Sequence, residues 1–273
     1  MSRVSQFLSI KGAVLDNERL GEYVQQVAIS HDLIRKSSMS TYPVPRLREN
    51  FEFIEDTYRL LNEHVEKGMH VYPAGEWLLD NFYIIEEAVQ TVLKEITPKK
   101  YKDFPGLASN GFSRIYVLAT ETIAHTDGRI NEEVLEWVID SYQRKKSLRM
   151  EEMWSFSMFL NIAMIEKIRG ICEKIYSAQI QKYKVESIIE RLVDAKEYKH
   201  REYSGSRSLD IGHNQMRYPF IEYMSHRLKQ YGRKALPYLA ILEEQVNKMG
   251  MTISEVIQKE HFDIAVRKSF LRK

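Results

Sequence analysis

Sulfur chemistry is almost absent from this chain, because Cys172 is the single cysteine among 273 residues. One thiol cannot form an intrachain disulfide framework or a Cys-x-x-Cys pair, and it suits a reducing compartment. Proline (7) and glycine (12) are scarce too, and they fall between periodic segments, which favours helices over a turn-rich β fold. Long apolar runs are missing. The best, Met158 to Ile165, contains Asn161 and is far below the ~18 residues needed to span a bilayer. Met1 to Ile10 is short and mixed, without the charged-then-apolar build of a signal peptide. No excess of one charge exists either: Lys and Arg number 40 against 38 Asp and Glu, a net of +2. A nucleic-acid partner needs a concentrated basic face, so none is expected.

Catalytic signatures are equally thin. The eight histidines form no H-E-x-x-H, and neither phosphate-cradling glycine loop is present. No Ser-centred nucleophile elbow occurs. Asp56, Asp80 and Asp127 stand apart, so no Asp-x-Asp can hold a metal–nucleotide pair. Asp127-Gly128-Arg129 has the look of the middle of a calcium loop, but Ile123, His125 and Val134 fall where oxygen ligands are required. It reads as a turn joining two helices. No metal, cofactor or catalytic residue is expected.

What is present is helical periodicity. The chain is longer than the common domain size of about 100–150 residues, and its expected fold is all-α, a multi-helix bundle or array without significant sheet. After an arm over 2–16, helices are expected over 17–36 and 47–67, from Pro73 to before Pro98, and over 112–126. Further helices are expected over 132–146 behind the cap Asn131 and from Ser147 to about Lys199, with Gly170 as a break or a close approach. Phe220 to Leu228 and Leu236 to Lys248 mark two more, and Thr252-Ile253-Ser254-Glu255 is a capping box for a last one. The stretches 37–46 and 99–111 read as connectors. The division expected is an N-terminal arm and first helix (1–46), a main helical domain (47–198), a polar linker (199–216) and C-terminal helices (217–273). The basic cluster Lys199, His200, Arg201 and Arg207 reads as solvated linker.

The helix from Pro73 is the organising element. Trp77, Leu78, Asn81, Phe82, Ile85, Ala88, Val89, Val92 and Ile96 share one face, so an amide lies inside an apolar stripe and is expected to meet a polar group. Arg114, Glu121 and His125 form one row on a later helix and complement such an amide. Asn81, Arg114, Glu121 and His125 therefore form a candidate cluster, with Trp77 as a platform beside it. It reads either as a network fixing helix register or as a pocket recognising hydroxyls. Buried polar groups mostly satisfy one another, which favours the first reading. Trp77, Trp137 and Trp154 all lie in helical stripes and are expected in the core.

Several separate motifs, in order, resemble the N-terminal region of bacterial cyclic β-1,2-glucan synthases. They include Glu76-Trp77-Leu78-Leu79-Asp80-Asn81-Phe82, Arg114-Ile115-Tyr116, Ile123-Ala124-His125-Thr126-Asp127, Glu152-Met153-Trp154 and Ile165-Glu166-Lys167-Ile168-Arg169. Pro219-Phe220-Ile221-Glu222, Ser225-His226-Arg227-Leu228, Leu242-Glu243-Glu244 and Glu260-His261 continue the series. The resemblance implies the helical portion before the transferase domain of an inner-membrane enzyme that builds glucan from UDP-glucose. It implies no catalytic residue here. It also implies a cytoplasmic position, at the inner face of the bacterial inner membrane, beside the transferase and membrane portion of such a synthase. The end at Lys273 suggests a truncated or split reading frame or a cut piece of a longer chain. The alternatives are a free-standing helical interaction domain, or a module that binds glucan or a nucleotide sugar through the Trp77 cluster.

Overall fold

The computed structural model describes residues 10, 12–69, 71–197, 218–256 and 258. The fold is all-α. In chain order it runs α1 (Asn17–Ser30), β1 (Leu33–Ile34), a 3-10 turn (Met39–Thr41), α2 (Val44–Glu66), α3 (Pro73–Glu95), α4 (Pro98–Asp103) and β2 (Gly106–Leu107). Then come α5 (Arg114–Thr126), α6 (Glu132–Gln143), α7 (Met150–Glu197), α8 (Tyr218–Gln230), a second 3-10 turn (Gly232–Ala235) and α9 (Leu236–Lys248). The sheet is minor: β1 pairs antiparallel with β2, with Leu33 opposite Leu107 and Ile34 opposite Gly106.

Two compact units emerge, one of Met1–Lys67 and Gly75–Glu173, the other of Gly68–Ala74 and Lys174–Lys273. The expected linker at 199–216, with its basic cluster, lies outside the described residues. Gly170 does not interrupt α7, and a Cβ there would meet nothing. The first helix stops at Ser30 rather than Lys36 because His31 turns extended (ψ 97°) and carries its ring into the interior. Pro45, expected in a connector, sits in the first turn of α2, where a missing N–H costs nothing. The expected loop 99–111 holds α4, capped by the Thr97 hydroxyl, and then β2.

In the first unit α5 is the central rod. All its residues are buried except Glu121 and His125, which are half-buried. Its threonines survive there by returning their hydroxyls to the preceding turn: Thr120 to the Tyr116 carbonyl (2.9 Å), Thr122 to Leu118 (2.7 Å) and Thr126 to Thr122 (2.7 Å). Phe159 of α7 packs among Tyr101, Phe104 and Tyr116, with ring centroids 5.4–6.3 Å away. Asp127 (φ 56°) and Gly128 (φ 75°) form the left-handed turn after α5, and the Lys167 ammonium pairs with the Asp127 carboxylate. Asp127-Gly128-Arg129 is thus a helix-joining turn. Cys172 is 1% exposed, and burial pushes its thiol up to about 12.

α1 crosses α6 at Gly21. The Trp137 indole N–H donates to the Asn17 carbonyl (2.6 Å) beside it, and a Cβ on Gly21 would lie 2.6 Å from Trp137 Nε1. Gly21→Val is expected to cost about 1–3 kcal/mol by overpacking, read as a lower midpoint in urea denaturation.

In the second unit Val185 and Ile189 of α7 pack with Phe220, Met224, Leu242 and Val246. Arg227 grips Glu186 with two hydrogen bonds (2.8 and 2.9 Å), and the Tyr223 hydroxyl donates to the same carboxylate. Burial alone would raise the Glu186 pKa, but these partners outweigh it and lower it. The Thr252–Glu255 capping box forms as expected, each residue accepting from the other's backbone N–H (2.8 and 3.2 Å).

Candidate functional site

Arg114 stands at the first position of α5, where Ser113 bends the chain into the helix. Its guanidinium meets Glu152, in the first turn of α7, through Nε–Oε1 (2.7 Å) and Nη2–Oε2 (2.6 Å). The two side chains are 4% and 0% exposed. Nη2 also donates to the Ser147 carbonyl (2.8 Å), and Glu152 Oε2 accepts from the Arg149 N–H (2.9 Å), which closes the start of α7. This two-pronged, water-excluded geometry is the strong form of an ion pair. Burial works against the Arg114 charge, but Glu152 prevails and the pKa rises.

The pair extends into a polar seam. The Tyr142 ring lies 5.9 Å from the guanidinium, and its hydroxyl shares a hydrogen bond (2.9 Å) with His31 Nδ1. The Lys146 ammonium donates to the His31 carbonyl. Burial first, then the charges of Lys146 and Arg114, lower the His31 pKa to about 4. Ends of α1, α5, α6 and α7 are thereby tied together.

A second group lies toward the other end of α5. The Tyr23 hydroxyl of α1 donates to Glu121 Oε2 (2.6 Å), and His125 Nε2 is 3.5 Å from the same oxygen. Burial, then Glu121, raise the Tyr23 pKa. His125 Nδ1 donates to the Ala13 carbonyl (2.8 Å), its own carbonyl accepts from the Leu15 N–H (2.9 Å), and the Tyr23 ring packs 4.2 Å from its imidazole. The stretch before α1, expected to be a loose arm, is therefore held at Gly12, Ala13 and Leu15 on the His125 end of α5. A third group joins α2 to α7: Glu166 accepts from Arg46 Nε (3.2 Å) and Nη2 (3.0 Å) and from the Asn50 amide.

The five residues singled out from the sequence do not meet as one cluster. Glu121 and His125 are together. Arg114 shares their helix but lies seven residues away from Glu121, about 10 Å of rise, and its partners are elsewhere. Asn81 donates to the Trp77 carbonyl of its own helix (2.8 Å). A half-exposed amide needs no buried partner, and the facing helix is α2, whose Tyr58 and Phe51 stack on Phe82 at 4.1 and 5.9 Å. Trp77 flanks this face at 39% exposed, while Trp137 and Trp154 are 36% and 72% exposed. None of the three is a core residue, contrary to the expectation. Trp137 covers Gly21 and receives the Arg144 guanidinium on its outer face (5.3 Å), and Trp154 lies opposite the α7 stripe of Glu152, Ser155, Phe156 and Phe159. Sequence reasoning missed Glu152, Tyr23, His31, Tyr142 and Glu166 as partners. Among the described residues, no group of three or more His, Cys, Asp or Glu could hold a metal ion, and no helix is long and apolar enough to cross a membrane.

No family model matches the chain. Over 219 residues it is 26% identical to the cyclic beta-(1,2)-glucan synthase NdvB of Rhizobium meliloti (strain 1021). The chain is similar to part of a glucan synthase. The match covers 79% of this chain and 8% of NdvB's length. Six charged residues of the motifs that carry the resemblance join helices here. Arg114 pairs with Glu152, Asp127 with Lys167, Glu166 with Arg46 and Arg227 with Glu186.

Proposed function

We propose that this chain is a non-catalytic helical domain of the kind that precedes the transferase portion of a cyclic β-1,2-glucan synthase-like glycosyltransferase. It supports glucan synthesis from UDP-glucose by docking against that portion at the cytoplasmic face of the inner membrane. One observation carries this reading: six charged residues of the synthase-like motifs, Arg114, Asp127, Glu152, Glu166, Lys167 and Arg227, are engaged in ion pairs that tie one helix to another. A scaffold keeps its ion pairs closed, whereas a hydrolytic or transfer site needs groups with pKa values poised for proton movement and room for substrate.

The test uses the purified chain and the detergent-solubilised remainder of a cyclic β-1,2-glucan synthase. Binding between the two is expected, with no release of UDP from UDP-glucose by the chain alone. UDP release by the isolated chain would overturn the non-catalytic assignment, and failure to bind the synthase remainder would overturn the docking role. A second reading, a free-standing interaction domain, is favoured by the exposure of Trp77 and Trp154. It predicts that the chain ignores the synthase remainder and forms a stoichiometric complex with a different protein.

A further inference from the structure

The helix α3 carries two seams with the alternating four- and three-residue spacing of a helix that packs against other helices. The first, Leu78, Phe82, Ile85, Val89 and Val92, faces the interior, with Phe82 half-buried and the other four buried. The second is displaced by one position along the chain: Trp77, Asn81, Ile84, Ala88 and Thr91. At about 100° per residue it forms a continuous strip beside the first. Trp77 is 39% and Ile84 49% exposed, and the remaining three are half-buried. Its two polar members make no tie to another helix. The Asn81 amide donates to the Trp77 carbonyl (2.8 Å) and the Thr91 hydroxyl to the Glu87 carbonyl (2.9 Å), both on α3 itself.

Charge says what can cover this strip. Asp80 and Glu87, both exposed, flank its outer edge. Around the helix the charged residues are Glu76, Asp80, Glu86, Glu87 and Glu95, against the single cation Lys94. A second copy of α3 laid on the strip would set carboxylates against carboxylates, which opposes self-association. A helix with lysine or arginine along its flank would meet Asp80 and Glu87 instead. We propose that the second seam of α3 is a docking surface for an amphipathic helix with a basic flank, with Trp77 as its aromatic anchor. Asn81 sets the register, as one amide in an apolar seam does by favouring the alignment that gives it a polar partner. The proposal stands on α3 alone and does not depend on the glucan-synthase reading.

The probe is a synthetic helical peptide as long as α3, with leucine at its seam positions and lysine at its flanks. A twin carries glutamate in place of lysine. Binding to the full chain is followed by titration calorimetry, with hydrogen exchange to locate the contact. The lysine peptide is expected to bind and to slow exchange along α3, and the glutamate twin to bind at least about tenfold more weakly. Trp77→Ala and Ile84→Glu should each weaken the lysine peptide about tenfold or more. Circular dichroism melts of both variants check the fold, which should persist because both side chains are exposed. Asp80→Lys with Glu87→Lys should reverse the preference between the two peptides. Equal affinity of the two peptides, affinity unchanged in both Trp77→Ala and Ile84→Glu, or protection away from α3 would overturn the proposal.

Discussion

Glu152→Ala is expected to destabilise the first unit by about 3–5 kcal/mol and to lower its melting temperature by roughly 10 °C. The carboxylate it removes is fully buried and accepts both prongs of Arg114, as well as the Arg149 N–H that starts α7. The alanine variant leaves a guanidinium in a site from which water is excluded, its Nη2 still donating to the Ser147 carbonyl. An uncompensated buried charge is among the costliest single defects a fold can carry. The paired variant separates this cost from the loss of contacts. Arg114→Met with Glu152→Leu removes both charges and roughly keeps their volume, and it should be far closer to the parent than either single change. Thermal melts of the four proteins close the cycle. A double variant as damaged as Glu152→Ala would mean that packing, rather than the buried charge, governs the site.

Acid is expected to weaken the same unit through His31, by up to about 3 kcal/mol between neutral pH and pH 4. In the folded chain its pKa is lowered from 6.5 to about 4, by burial first and then by Lys146 and Arg114. The unfolded chain therefore takes up the proton first. The stability present above about pH 6.5 falls as pH drops through the window between the two values, and below about 4 both states are protonated. His31→Asn keeps a polar group toward the Tyr142 hydroxyl and removes the titration. Urea midpoints measured from pH 7.5 to 4.5 should fall more steeply for the parent than for His31→Asn. Parallel curves would show that the imidazole is not the group responsible. Carboxylates such as Glu186, whose pKa is lowered from 4.5 by its partners, act from the acid end of this window downward and cancel in the comparison.

The helical rods and the capping box could be read from residue spacing, because each is a local property. The ends of the rods could not. Pro45 and Thr97 look like breakers or connectors in sequence and serve as helix starts in the structure. The central position of α5 does not show in its pattern: Arg114, Glu121 and His125 form a polar row along it, yet nearly every residue is buried, the threonines with their hydroxyls on the preceding turn. Asn81 misled for the opposite reason: it falls on an apolar face, but at the edge where a second strip begins, and it binds its own helix. Arg114 is a member of the candidate cluster, but its actual partner cannot be read from the sequence. Glu152 lies 38 positions away, and nothing in a first-turn glutamate tells it from an ordinary helix-start acid. Tyr23 and Glu121 are 98 positions apart. Periodicity reports which side of a helix is apolar, and it carries no information about which charge waits on the next one.

The sealed position of Cys172 has a practical use. A thiol that burial holds almost wholly protonated at neutral pH reacts slowly with alkylating dyes, so the native cysteine need not be removed before labelling. One cysteine introduced at an exposed position on the edge of the second α3 seam, such as Glu87, would take up a fluorophore selectively, giving a direct optical readout of any helix that settles beside it.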